Sequence, residues 1–163
     1  MRFIADAMLG RLARWLRFLG YDTLYVRKGE DTPLLQIAEE EGRILLTRDT
    51  HLIKRRLPIR CLFIRSDHLV EQLKQVIEEL NLEVGEGVGT RCMQCNVPLE
   101  EVERSEVQGL VPDFVFRAHQ EFYRCPACLK IFWPGSHLQR MEEVLKNLCA
   151  SSSWGPLNSP SLP

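Results

Sequence analysis

Four of the six cysteines form two C-x-x-C pairs, CMQC at residues 92–95 and CPAC at residues 125–128. Two such knuckles supply four thiolates, the usual ligand set of a tetrahedral structural Zn²⁺ ion. A closed site of this kind folds its own segment and is not expected to be catalytic. A thioredoxin-like redox pair fits poorly, because one pair would be redundant and neither follows a strand in a βαβ unit. The predicted zinc ligands are Cys92, Cys95, Cys125 and Cys128.

Carboxylates recur where apolar, strand-like segments lead into the next helix. Asp6 directly follows RFIA, Asp49 lies two residues beyond RILLT, and Asp67 lies three residues beyond RCLFI. Glu30 and Asp31 stand between the second strand and its helix. In a parallel sheet these connections lie along one edge, where ligands bind in open α/β folds. Each acid taken alone can also be interpreted as a helix cap.

Converging carboxylates repel one another, and a hard divalent cation relieves that repulsion. We therefore predict a Mg²⁺ or Mn²⁺ site that supports metal-assisted hydrolysis of a phosphodiester. The expected ligands of this ion are Asp6, Asp49 and Asp67. The predicted catalytic residues are Asp6, Asp31, Asp49 and Asp67, with Glu30 as the alternative to Asp31.

The basic residues suit an anionic substrate. The first 65 residues carry 13 Lys and Arg against 8 Asp and Glu, whereas the rest of the chain carries 8 against 14. Arg48 lies between the third strand and its acid, and Arg11 and Arg14 lie on the first helix with Arg17. Phosphate contacts of this kind give affinity without sequence choice. Arg48, Arg11 and Arg14 are the predicted substrate-binding residues, and a solvated helix face is the alternative for Arg14 and Arg17.

The elements that would bring these side chains together follow from hydrophobic periodicity. Short apolar segments alternate four times with amphipathic ones over the first 82 residues. Strands are predicted at 2–5, 22–26, 43–47 and 60–64, and helices at 8–20, 31–42, 50–57 and 66–82. Continuous apolar strands that alternate with helices predict an α/β fold whose parallel sheet is covered on both faces.

The rest of the chain has a different character. Residues 83–90, EVGEGVGT, are predicted to link a first domain, residues 1–82, to a second module. That module, residues 91–148, contains both cysteine pairs and a last helix predicted at 136–148. The Ser- and Pro-rich residues 149–163 are predicted to be disordered. The aromatic residues between the knuckles are interpreted as the small core of a ribbon, with base stacking as the alternative.

The composition is that of an ordinary soluble protein, with 45% hydrophobic and 26% charged residues and a net charge of -1. No apolar stretch approaches the roughly 18 residues that span a membrane. The N-terminal MRFIADAMLG is too short and too soon charged for a signal peptide. We therefore expect an intracellular protein, in the cytoplasm or the nucleus, with no membrane partner.

Longer segments resemble a known family. They are ADAMLGRLARWLRFLGYDTLY, EDTPLLQIAEEEGRILLTRD, RSDHLVEQL, and the ribbon RCMQCNVPL with YRCPACLKIFWPGSH. In order and wording these motifs resemble the Mut-seven C-terminal RNase family, over about residues 1–143. The resemblance implies a PIN-like three-layer fold with a mostly parallel sheet and a small C-terminal zinc ribbon. It also implies a ribonuclease that uses Mg²⁺ or Mn²⁺, with RNA as its partner and its acidic residues at Asp6, Asp31, Asp49 and Asp67.

Two positions depart from the family pattern. Asp67-His68 stands where members often have two acids, and Glu30-Asp31 stands where they often have Asp-Asp. The family also forms the C-terminal domain of Mut-7-type 3′-5′ exonucleases, whose exonuclease chemistry belongs to a separate upstream domain. Exonuclease activity is therefore not expected of these residues.

Two further functions are alternatives to the ribonuclease. A nucleic-acid-binding adaptor would hold RNA on the ribbon and the basic helix without cleaving it, and its binding would weaken as salt rises. An aspartate-based phosphoacceptor domain also gathers acids at strand ends. It needs a lysine near those acids, and none lies in the connection directly after the fourth predicted strand, so we rank it last.

Overall fold

The computed structural model describes residues 1–26, 31–54 and 58–150, without the side chains of residues 31–33, 136–138 and 149–150. Glu30, Arg55 and Arg56 lie outside the described residues, as do most of the tail predicted to be disordered and the side chain of Asp31. In the described part of the chain, every helix is too short or too polar to cross a lipid bilayer.

A four-stranded parallel sheet forms the centre of the molecule. Its strands are β1 (Arg2–Ala5), β2 (Asp22–Tyr25), β3 (Ile44–Thr47) and β4 (Cys61–Phe63), in the order β2-β1-β3-β4. β1 and β3 are central and almost wholly buried, which agrees with their unbroken apolar sequences. β4 was predicted as a buried strand, but it lies at an edge of the sheet and is half-exposed to exposed.

Helices cover both faces of the sheet. They are α1 (Gly10–Phe18), α2 (Asp31–Glu40), α3 (Thr50–Lys54) and α4 (Leu69–Leu80). Phe3 and Ala5 of β1 point towards the side chains of α1 and α4, whereas Ile4 points to the opposite face, towards Leu34 and Ala38 of α2. This alternation follows from the two-residue period of a strand. The predicted α/β fold with a mostly parallel sheet is confirmed.

The cysteine pairs lie in a small antiparallel sheet. Its strands are β5 (Glu100–Val102), β6 (Phe122–Arg124) and β7 (Ile131–Phe132), in that order. Two short helices that were not predicted, α5 (Arg104–Val107) and α6 (Asp113–Ala118), connect β5 to β6. Phe122 is fully buried among Val102, Val107 and Val115, with Phe116 packed beside them. Phe116 and Phe122 therefore belong to the core of the ribbon, as interpreted from the sequence, whereas Phe114 is exposed.

The last helix, α7 (Ser136–Ala150), packs on the main core. Its Met141, Leu145 and Leu148 lie in the same buried cluster as side chains of β1, α1 and α4. The predicted division assigns this helix to the second module, and the division itself remains a prediction. The contact nevertheless makes α7 a third helix on the α1 face of the parallel sheet.

The predicted linker packs closely against the first helix. The amide of Gly89 donates to the carbonyl of Phe18 at 2.8 Å. Gly20, at a φ of +92°, lies so close to Gly87 that a Cβ on Gly20 would sit 2.4 Å from the Gly87 carbonyl oxygen. Only glycine accepts both that φ and that contact. The segment therefore fixes the ribbon to the C-terminal end of α1.

Candidate functional site

The topology of the sheet places two of the predicted acids side by side. The chain crosses from β1 to β2 on one side and later adds β3 on the other side of β1. This reversal is a topological switch point, where open α/β sheets bind ligands beyond the carboxyl ends of their strands. Asp6 follows β1 and Asp49 follows β3, so both lie at this point.

The carboxylate of Asp6 is held by three hydrogen bonds. Its Oδ1 accepts from the amide of Met8 at 2.9 Å. Its Oδ2 accepts from the Thr47 hydroxyl at 2.5 Å and from the amide of Arg48 at 2.8 Å. The residue is 8% exposed. The three donors lie in the loop after β1, at the end of β3 and just beyond β3. Together they fix the orientation of the Asp6 carboxylate at the carboxyl edge of the sheet.

Asp49 has a structural role at the start of α3. Its Oδ1 accepts from the amide of His51 at 2.7 Å, and its carbonyl accepts from the amide of Ile53 at 3.4 Å at the start of α3. The capping interpretation therefore holds for one oxygen of this carboxylate. Within the described residues the second oxygen accepts no hydrogen bond, so it is available to a ligand.

Thr47 connects the two acids and was missed by the sequence analysis. Its side chain is fully buried; its hydroxyl donates to Asp6 and accepts from the amide of Asp49 at 3.0 Å. A threonine at the end of an otherwise aliphatic strand was the available clue, because a buried hydroxyl needs a partner. Thr47 thus sets the relative position of Asp6 and Asp49.

Asp67 and Arg48 adopt a geometry that was not expected. They form an ion pair in which the Asp67 side chain is 76% exposed and the Arg48 side chain 22%. Among the described side chains, the acids do not form a group of three close enough to share one ion. Asp6 and Asp49 are therefore brought together, Asp67 is joined to them through Arg48, and the side chain of Asp31 is not described.

The three arginines of α1 separate into two groups. Arg11 and Arg14 are exposed, as a phosphate-binding role requires. Arg17 is buried, and its guanidinium donates to the carbonyls of Met93 and Gln94 at 3.0 and 2.9 Å. The suggestion that Arg17 joins the other two on an open face is therefore wrong. Arg17 instead binds the first cysteine knuckle to the helix.

Asn96 makes the second contact between the ribbon and the parallel sheet. Its side chain accepts from the amide of Thr23 at 2.9 Å and donates to the carboxylate of Asp22 at 2.7 Å. Asp22 also receives two hydrogen bonds from the buried Arg43, at 2.8 and 3.0 Å. Burial alone would raise the pKa of Asp22, but the bonds from Arg43 and Asn96 hold that pKa below its ordinary value. These contacts lie where β2 begins, so the ribbon docks at the amino edge.

The four cysteines converge as predicted. Their sulfur atoms all lie within 4.8 Å of one another, and the Sγ atoms of Cys92 and Cys128 are 3.9 Å apart. The amide of Cys95 donates to the sulfur of Cys92 and the amide of Cys128 to that of Cys125, each at 3.4 Å. Thiolates at this spacing fit a tetrahedral Zn²⁺ ion. The cluster can therefore hold the predicted zinc.

The two knuckles share one backbone shape. Asn96 and Leu129, the residues that follow them, have φ angles of 65° and 61°. The amide of Asn96 donates to the carbonyl of Cys92, and the amide of Leu129 donates to that of Cys125. Asparagine is well suited to this left-handed conformation and leucine is not.

The pKa values of the thiols differ within the cluster. Hydrogen bonding with the backbone of Lys130 lowers the pKa of Cys128 to about 7. The hydrogen bond with Cys128 raises the pKa of Cys95 to about 12. Because zinc binds thiolates, its binding must release protons from the more basic thiols.

A largely apolar cavity of about 520 Å³ lies at the amino edge. Phe18, Met93, Trp133 and Met141 are among the side chains that line it. It is formed by the end of α1, the ribbon and α7, and none of the predicted acids lines it. The cavity is therefore separate from the carboxylates at the other end of the sheet.

A parallel α/β domain with carboxylates at its switch point, joined to a four-cysteine ribbon, is the class of protein that these features define. The family model described as the Mut7-C RNAse domain matches residues 1–145, and the chain belongs to this family. This confirms the resemblance found in the sequence. The family is one of nucleases, so the chain is a nuclease-family domain.

One similar curated protein is the exonuclease mut-7 homolog of Homo sapiens. It is 37% identical over 101 residues, which cover 58% of this chain and 12% of that protein. The chain therefore spans a small part of the length of this relative. No solved structure matches the chain significantly.

Proposed function

We propose that the chain is a metal-dependent ribonuclease in which Asp6 and Asp49 hold a Mg²⁺ or Mn²⁺ ion at the switch point. The observation that carries the proposal is the position of the Thr47 hydroxyl, which donates to the carboxylate of Asp6 and accepts from the backbone amide of Asp49. A buried hydroxyl that joins two acids from different strands is more than capping requires. The four cysteines hold a structural zinc ion in the same proposal.

The donor set suits the catalytic ion. Magnesium keeps several waters and is usually held by one or two carboxylates and the substrate phosphates, rather than by a full protein cage. Asp6 and Asp49 supply two carboxylates, so a third is not required. When bound, the ion supplies Lewis-acid polarisation of the scissile phosphodiester.

The side chains of this chain have separate tasks in the reaction. Asp6 stays oriented because its three hydrogen bonds are fixed by backbone and by Thr47. Asp31 and Asp67 orient the attacking water. An exposed ion pair contributes little stability, so Arg48 can exchange Asp67 for a phosphate of the substrate at small cost. Arg11 and Arg14 bind the flanking phosphates.

The test is cleavage of RNA by purified protein in Mg²⁺ or Mn²⁺. We expect Asp6→Asn and Asp49→Asn to lower the rate by about 100-fold or more, since each removes a charged metal ligand. Asp113→Asn is the matched control, because Asp113 is an exposed acid on the ribbon. Mn²⁺ binding followed by electron paramagnetic resonance should weaken in the first two variants alone.

Equal cleavage rates in wild type, Asp6→Asn and Asp49→Asn would contradict the proposal. Salt-sensitive RNA binding without cleavage, unchanged in Asp6→Asn, would favour the non-catalytic adaptor. Thermal melting of each variant separates loss of a ligand from loss of fold, because Asp6 also accepts bonds that hold β1 to β3.

A further inference from the structure

Two large side chains with exposed surface flank the proposed catalytic Asp6. Met8 is 66% exposed and Tyr25 is 37% exposed. Tyr25 ends β2 and pairs in register with Ala5, the residue before Asp6. Met8 lies two residues beyond Asp6, and its amide donates to Asp6 Oδ1 at 2.9 Å. The exposed side chains of Tyr25 and Met8 therefore belong to the two segments next to Asp6, at the open edge of the sheet.

The ring of Tyr25 is held in place. Its hydroxyl donates to the carbonyl of Ala7 at 3.0 Å, in the loop between Asp6 and α1. Gly10, the first residue of α1, lies against the ring, and a Cβ there would be 3.1 Å from Cζ of Tyr25. Any side chain at position 10 would crowd the ring. The position of the exposed ring is thus set before a ligand arrives, which reduces the entropy lost on binding.

Positive charge continues from this surface along α1. Arg11 and Arg14 are exposed and are three residues apart, so they are neighbours on one face of the helix. In the described part of the chain neither makes a hydrogen bond or an ion pair, unlike Arg17 and Arg48. An aromatic surface followed by free cations is the combination that single-stranded nucleic acid recognises.

We propose that Tyr25 and Met8 form a stacking subsite for one unpaired nucleobase, and that Arg11 and Arg14 bind the adjoining phosphates. The substrate is accordingly single-stranded RNA. This inference rests on the proposed ribonuclease function, because the subsite is defined by its place beside Asp6. A base within a duplex is already stacked on its neighbours and cannot offer its face to Tyr25.

The experiment measures binding, so that it does not depend on cleavage. Fluorescence anisotropy compares a short labelled single-stranded RNA with the duplex of the same sequence, without added divalent cation. We expect the single strand to bind more tightly than the duplex. Tyr25→Leu should weaken single-strand binding by about tenfold, whereas Tyr25→Phe, which keeps the ring but loses its hydrogen bond to Ala7, should weaken it much less. The matched control is Phe114→Leu, which removes a 74% exposed ring from the ribbon and should change nothing.

The results separate the two proposals. The subsite would be overturned if Tyr25→Leu melts and binds like wild type, or if the duplex binds as tightly as the single strand. If Tyr25→Leu unfolds, Met8→Ser tests the same surface from the loop side, and unchanged binding there would also overturn it. Wild type that binds the single strand through Tyr25 but cleaves nothing would overturn the ribonuclease and leave the subsite standing.

Discussion

The amino edge and the carboxyl edge of the four-stranded sheet differ in how many of their polar groups already have partners. At the amino edge, hydrogen bonds engage the side chains of Arg17, Asp22, Arg43 and Asn96. The sulfur atoms of the four cysteines lie close together beside them. At the carboxyl edge, one oxygen of Asp49 and the guanidiniums of Arg11 and Arg14 make no hydrogen bond in the described part of the chain.

This difference matches the distinction between the proposed structural zinc site and the proposed catalytic site. A structural metal site has all of its ligands from the protein, whereas a catalytic site keeps positions open for water and substrate. The cysteine cluster fits the first description and the Asp6–Asp49 pair fits the second. Polar groups at the carboxyl edge that have no partner among the described residues are consistent with the ligand site proposed there.

Loss of zinc should lower the stability of the protein more than any other change, and the ribbon at the amino edge should unfold first. Removing zinc with a strong chelator, or changing Cys92 to Ser, is expected to unfold the ribbon, since binding of a structural Zn²⁺ contributes on the order of 10 kcal/mol. Hydrogen exchange should show the loss first in β5, β6 and β7. Cys61→Ser is the control, because this exposed cysteine lies outside the cluster. A ribbon that keeps its protection after zinc is removed would contradict the structural assignment.

Removing the carboxylate of Asp22, which lies where the ribbon docks on the sheet, should lower the stability of the protein by an intermediate amount that depends on pH. The pKa of Asp22 is lower in the folded protein than its ordinary value near 3.8, so its stabilisation is complete above about pH 4. It is lost as the pH falls through the lowered pKa. Asp22→Asn should reduce the free energy of unfolding by about 2 kcal/mol at neutral pH, because Arg43 loses its carboxylate.

Urea unfolding at several pH values measures this effect. The difference between Asp22→Asn and wild type should shrink below pH 4, whereas exposed Asp113→Asn should differ little from wild type throughout. A constant difference at all pH values would show that Asp22 acts by its shape alone.

Changing the residue that follows each cysteine knuckle should alter the stability of the protein least. Leu129→Gly is expected to stabilise the protein by about 1 kcal/mol, since leucine is strained at a positive φ and glycine is not. The equivalent change Asn96→Gly should destabilise it, because the side chain of Asn96 bonds Thr23 and Asp22. Thermal melting of the zinc-loaded proteins distinguishes the signs, and the same sign for both would contradict this account.

Much of the fold could be predicted because local patterns determine it. The strand RFIA was predicted at 2–5 and lies at Arg2–Ala5, and the spacing of the two C-x-x-C pairs identified the ligand cluster. α5 and α6 were missed because each is only four to six residues long, too short for helical periodicity to appear. The edge position of β4 was missed because an apolar sequence does not report its place in the sheet order.

The candidate site was predicted in part. The sequence identified Asp6 and Asp49 because each follows a buried strand, but it did not identify Thr47, whose role depends on contacts across 41 residues of sequence. Likewise, the burial of Arg17 depends on a partner 76 residues away. Helical spacing places Arg11, Arg14 and Arg17 on similar faces, and only the docked ribbon distinguishes the last from the others.

The position of the ribbon has a consequence for how this domain can change. Strands of four residues, about 13 Å long, separate the amino edge, where the ribbon docks, from the acids at the carboxyl edge. We therefore expect that loops at the acidic end can be exchanged or lengthened without disturbing the cysteine cluster. Laboratory evolution of new RNA preferences should accept insertions there and reject them near Gly20 and Gly87, where even one added methyl group does not fit.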